Sequence, residues 1–344
     1  MLRWTRFALL FLAGFGISTA PALSSRAVAQ VVVPKDAQFV FLLDVQAIQQ
    51  SKVGQKLIGL AKQAAEEELK NHGVSDGDQN PYLQLREALG FDPLTEVQSL
   101  VITSADFEHP EQSMTACLNL GKTIGNLEGL FLSLPNYESE TRGQHVIHSA
   151  QPDDARIYAT IHEKRDGNHV MLVAPDRERL DAQLESLDVF EKPNGGLQLF
   201  QSDSVSKPMI AAQVLKFPLE ELGDGPQKNI AKRLKSLSFA ISEQDDDIDL
   251  RLQLETETPK QAEQIRQMVQ GFMAMLEFAQ SMDSEDEDLK QAIAMLKDAK
   301  ASVEGSNVRL RFRVPSDWIE DAIQEEVKNQ VQERRAMLRI RTEL

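Results

Sequence analysis

Four of the six histidines in this 344-residue chain lie close together, at His145, His148, His162 and His169. Neutral imidazoles on neighbouring strands can hold zinc or copper, and Glu163 would add an oxygen ligand, so these four are the candidate metal ligands. Their spacing opposes that reading. His145 and His148 are three apart, which on a regular strand sends them to opposite faces. Ordinary strand and turn histidines are the reading the spacing favours.

The segment Ala116-Cys117-Leu118-Asn119-Leu120-Gly121-Lys122-Thr123 approaches a phosphate-binding loop but has alanine where the first glycine belongs. Such a loop needs free backbone amides curled around phosphate, whereas Cys117 to Leu120 has strand character and spends its amides on pairing. Three acidic clusters invite calcium: Asp76 with Asp78 and Asn80, Asp245 to Asp247 with Asp249, and Asp283 to Asp288. None fits the calcium-loop template, because Pro81, Leu250 or Asp288 stands where the turn requires glycine and the closing glutamate is missing. The sequence shows no Gly-x-Ser-x-Gly elbow, no His-Glu-x-x-His pair and no Ser-x-x-Lys with its companion motifs. No cofactor is expected.

A helix expected from Pro259 to Met282 carries Ala262, Ile265, Val269, Phe272, Leu276 and Ala279 at helical spacing, with Met268, Met273 and Met275 alongside. Packing against a sheet is the expected use of such a stripe. The alternative is a groove for a lipophilic ligand, lined by Met268, Phe272, Met275 and Leu276, because methionine suits adaptable binding surfaces.

These residues sit in a chain whose first 29 positions read as an export leader. Arg3 and Arg6 precede an apolar run from Phe7 to about Gly16, and Ala27-Val28-Ala29 supplies the small-x-small cleavage pattern. The run is shorter than the roughly 20 residues a membrane span needs. The formal net charge is −16, and the leader removes three arginines more. That field repels nucleic acid and anionic headgroups. Cys117 is the only cysteine, which excludes an internal disulfide, a multi-thiolate metal site and a lipidated mature N-terminus. A protein exported to the periplasm or beyond is expected, with no transmembrane span in the mature chain.

Strand-like apolar runs cover Phe39 to Val45, Val97 to Thr103, Thr115 to Leu120, Val146 to Ser149, Ile157 to His162 and His169 to Val173. Helical patterns fall between them at Ser51 to Lys70, Ile124 to Leu132 and Asp176 to Leu187. A second series places strands at Met209 to Leu215, Leu237 to Ser242, Ile248 to Thr256, Ala301 to Glu304 and Val308 to Val314. Its helices are expected at Gln227 to Leu234, Pro259 to Met282, Glu285 to Lys300 and Ser316 to about Glu333. Similar punctuation closes both series, Val173-Ala174-Pro175-Asp176 and Val314-Pro315-Ser316-Asp317, where proline and a short polar residue stop a strand and start a helix.

The fold class is therefore α+β, with two related modules, each an antiparallel or mixed sheet covered by helices. Module one spans 30–190 with a helical insertion near 66–93, a linker follows at 191–208, and module two spans 209–333. A basic tail at 334–344 sets Arg334, Arg335, Arg339 and Arg341 among Met337, Leu338 and Ile340.

An opening strand that ends at Asp44, the turn Leu89-Gly90-Phe91-Asp92-Pro93 and the closing Val-Arg-Leu-Arg-Phe run at 308–312 resemble exported bacterial proteins built from tandem α+β modules. The resemblance implies the two-module layout. Its motifs are structural punctuation, so no catalytic residue carries over. The reading that follows is a non-catalytic binding or envelope-associated protein engaging a protein partner or an apolar small ligand. A cofactor-independent hydrolase with its site at the module junction, and a purely structural envelope component, are the alternatives.

Overall fold

The computed structural model describes residues 33–59, 91–190, 207–219, 226–281 and 299–319, with 35, 108, 123, 125–126, 152–154 and 165 excepted. The leader, nearly all of the 66–93 insertion, most of the linker, the expected helix at 285–300, the segment beyond 319 and the acidic clusters at 76–80 and 283–288 lie outside the described residues.

Twelve strands stand among the described residues, most of them apolar on at least one face. They are β1 (Phe39–Asp44), β2 (Val97–Ser104), β3 (Thr115–Leu120), β4 (Glu138–Arg142), β5 (His145–Ala150), β6 (Ile157–Glu163), β7 (His169–Ala174), β8 (Ile210–Val214), β9 (Leu234–Gln244), β10 (Asp247–Thr256), β11 (Lys300–Glu304) and β12 (Asn307–Pro315). The helices are α1 (Val45–Gln50), α2 (Pro93–Glu96), α3 (Pro110–Ser113), α4 (Leu127–Leu132), α5 (Arg177–Phe190), α6 (Pro226–Ala231) and α7 (Pro259–Ser281). Among the described residues no helix is long and apolar enough to cross a membrane.

All twelve strands form one antiparallel sheet in the order β11-β12-β10-β9-β8-β1-β2-β3-β7-β6-β5-β4. Reading outward from the central β1–β8 pair, β1-β2-β3-β7-β6 on one side matches β8-β9-β10-β12-β11 on the other. A helix, α4 or α7, separates the third strand of each half from its last pair. Pro175 follows β7, and Pro315 closes β12, as the punctuation predicts. The first half adds the β4–β5 hairpin at its outer edge. The two series thus share one sheet, joined through Phe39↔Val214 to Leu43↔Ile210.

Cross-strand partners share a face, so the register sorts the side chains. On one face of the first half, Val40, Leu42, Val101, Cys117, Ile147 and Leu172 pack beneath Leu180 and Leu184 of α5. On the other, Leu43, Val97 and Leu120 pack with Val45, Ile58, Ile124 and Leu127. In the second half α7 covers this second face, placing Ala262 and Ile265 on Leu254, Val308 and Leu310.

The expected helix from Ser51 instead begins earlier and is broken at that residue. Asp44 caps α1 by accepting from Ala47 N at 2.8 Å, and Ser51 ends it in extended conformation. The chain re-enters helix over 52–59, where the amides of Lys52 and Val53 donate to the Glu243 carboxylate of β9 at 3.0 and 3.1 Å. That bond ties the halves together, as does a small core of Val53, Met209 and Ile248. Gly54 is required here, since a Cβ would lie 2.0 Å from Ile48 O.

Candidate functional site

The N-terminal part of α7 is held by burial. Thr258 and Gln261 bond reciprocally ahead of the first turn, and Ala262 (0% exposed) and Ile265 (4%) then enter the core with Val269 against them. Further along, the helix presents apolar side chains to solvent: Met268 is 51% exposed, Phe272 59%, Met275 71% and Phe278 67%. At 100° per residue Phe272, seven positions after Ile265, continues the buried stripe, while Met268, Met275 and Phe278 lie beside it. Phe272, which the spacing would place in the core, is nonetheless a surface residue. Leu276 shares the helix, but its side chain lies outside what the structure describes. From Gln267 to Gln280 the only charge is Glu277.

The histidines divide by face. His145 and His162 lie on one side of the β5–β6 ladder, with ring centroids 5.5 Å apart. His148 points to the other side, stacked on Phe131 at 5.1 Å and bonded through Nδ1 to the Tyr137 hydroxyl at 3.0 Å. Burial lowers the affinity of His148 for its proton, against a smaller opposing pull from Glu128. His169 Nδ1 lies 3.3 Å from the Gly121 carbonyl. The structure thus brings together two of the four, and among the described residues no three histidine, cysteine or acidic side chains gather as a metal site.

The segment resembling a phosphate loop is β3, paired with β2 and β7, and Gly121 N donates to Glu96 O at 2.7 Å. At the β9–β10 hairpin tip, Asp246 pairs with Lys52, while Asp249 is fully buried between Arg251 and Arg311. Those carboxylates neutralise side chains of this protein.

Two polar features escape sequence reasoning. The first is a buried chain in which Lys164 Nζ donates to Asn119 Oδ1 at 2.7 Å and Asn119 Nδ2 donates to Ser99 Oγ at 2.9 Å. Desolvation lowers the Lys164 pKa and raises that of Cys117 beside it to about 12. Ser99 is 2% exposed, and an amide stands between its hydroxyl and the amine, so this arrangement supports the sheet and does not activate a nucleophile. No local motif announces it, because it depends on the pairing of β2 with β3.

The second is a cleft of about 840 Å³ at the seam of the halves, lined by Lys52, Gln55, Lys56, Asp246, Asp247, Pro315, Ser316 and Asp317. Ser316 Oγ is buried there, with no hydrogen-bond partner among the described residues.

No protein family and no curated protein matches the sequence. Among solved structures, the chain is similar to crystal form IV of TP0453, with 9% identity, 85% of this chain and 97% of that chain covered, and a TM-score of 0.42. Form III gives 9% identity, 86% and 99% coverage and a TM-score of 0.39; form I gives 10%, 87% and 98%, and 0.37.

Proposed function

We propose that this chain is a non-catalytic, exported binding protein that engages a partner protein through the apolar arc of α7. One observation carries the reading: Met268, Phe272 and Met275 are more than half exposed on one helix surface. Apolar patches of a few hundred Å² are where soluble proteins meet partners.

The chemistry of the arc favours a protein occupant. A helix docking on anionic lipid carries lysine and arginine on its polar face, whereas this stretch has Glu277 as its only charge. A small apolar ligand needs a concavity, and a helix surface is a convex ridge. A partner helix packs its own ridges between those of α7, and methionine adapts to the fit. The leader at 1–29 supports export. Against a hydrolase at the module junction stands the seam cleft, where Lys52 and Asp246 are paired and Ser316 Oγ has no hydrogen-bond partner among the described residues.

The test is photo-crosslinking in the native cell from a benzophenone side chain placed at position 272, with position 263 on the polar side as the control. A discrete adduct of protein mass from 272 alone is expected. Lipid-sized adducts, equal crosslinking from both positions or none from 272 would overturn the reading.

A further inference from the structure

The Val308–Val314 stretch alternates apolar residues and arginine without interruption, so Arg309, Arg311 and Arg313 all stand on the sheet face opposite α7. The register places Arg251 of β10 directly across from Arg311 on one side and Lys300 of β11 on the other. Like charges directly opposite on a sheet destabilise it. Here three stand in a row across three strands, in a protein whose net charge is −16.

Two groups hold this row in place. Asp249, 0% exposed, accepts from Arg311 Nε at 2.6 Å and from Arg311 Nη2 at 3.0 Å, and from Arg251 Nε at 2.6 Å. Gln244 Oε1 accepts from Arg311 Nη2 at 2.9 Å and Arg313 Nη2 at 3.4 Å. The guanidiniums are thus oriented while remaining accessible: the Arg311 side chain is 39% exposed and that of Arg309 42%, and Arg313 and Lys300 are exposed. Asp247, Asp249, Glu255 and Glu304 share the face with these five cations, and Glu304 pairs with Arg309 at 2.7 Å, so positive charge is in surplus by one, with Arg313 and Lys300 the most open of the five.

We propose that this face docks an acidic segment of a second polypeptide. Arginine forks match carboxylates in pairs, and preset arginine clusters are a recurring means of recognising acidic motifs. Alternate arginines about 7 Å apart along β12 match alternate carboxylates on an extended acidic chain. The surface lies across the sheet from α7 and stands independently of the role proposed for that helix.

The experiment is fluorescence anisotropy of a labelled oligoglutamate peptide with the intact protein and two double variants whose folding is checked by circular dichroism. Lys300→Gln/Arg313→Gln removes exposed charges on the face and leaves Asp249 paired. Lys232→Gln/Lys235→Gln removes as much charge elsewhere. Binding at about 0.02 M salt that weakens toward about 0.15 M is expected, with a loss of roughly tenfold in the first variant and little change in the second. Absence of binding, an equal loss in both variants, or stronger association with phosphatidylglycerol vesicles than with the peptide would overturn it.

Discussion

Asp44 and Asp249 are both buried carboxylates, and their surroundings act on them in opposite directions. Burial raises the Asp44 pKa, with the Ala47 amide, Lys207 and the Gln46 amide opposing it. A folded-state pKa above the unfolded value means that its stabilising protonated form is lost as pH rises, so ionised Asp44 costs stability at neutral pH. Asp44→Asn keeps an oxygen for the Ala47 amide and removes the charge. Its stability at pH 7 is predicted to equal or exceed that of the parent, with the difference closing below about pH 4, while Asp44→Ala loses about 1 kcal/mol with the cap. For Asp249, burial also pushes the pKa up, but hydrogen bonds and charge from Arg311 and Arg251 outweigh it and the net shift is downward. The stability it contributes is present above about pH 4 and is lost as pH falls through the depressed value. Asp249→Ala should cost about 2 kcal/mol at neutral pH, less than a fully buried pair would, because Arg311 stays partly in water. Denaturant titrations across pH check both carboxylates.

At the scale of elements, α7 changes role along its length. Ile265→Ala should cost about 2 to 5 kcal/mol, whereas Phe272→Ala should stay within about 0.5 kcal/mol. Thermal and denaturant unfolding of the two variants separates them. The sequence alone marks the helix and its apolar character, yet the heptad-like spacing of Ala262, Ile265, Val269 and Phe272 does not reveal where burial ends. That depends on where the sheet lies beneath the helix. The strands were legible for a simple reason: those with buried faces read as short apolar or alternating runs, so β3 falls where its pattern places it and the others shift by only a few residues. The hairpin strand β4 has no such signal, since all five of its residues are exposed. Likewise, Val-Arg-Leu-Arg-Phe is readable as alternation, but the Asp249 keystone is not, because it exists only once β10 and β12 are in register.

Over the whole molecule, the strand orders on either side of β1–β8 match, and both halves share one sheet. We propose that they fold as one cooperative unit, since the central ladder, the Glu243 cap and the Val53–Met209–Ile248 core all cross the boundary. Calorimetry should show a single transition, and two well-separated transitions would contradict this. Cys117 offers a second readout: with its thiol raised to about 12 by burial, it should resist iodoacetamide at neutral pH until the sheet opens.

If α7 contacts a protein partner, native mass spectrometry of protein purified from its own host reveals that partner. The parent is compared with Phe272→Ser/Met275→Ser, a variant expected to keep the parent's unfolding midpoint because both side chains are on the surface. A bound protein mass is expected on the parent and absent from the variant. A parent that carries no protein, or a variant that retains the same partner, would contradict it.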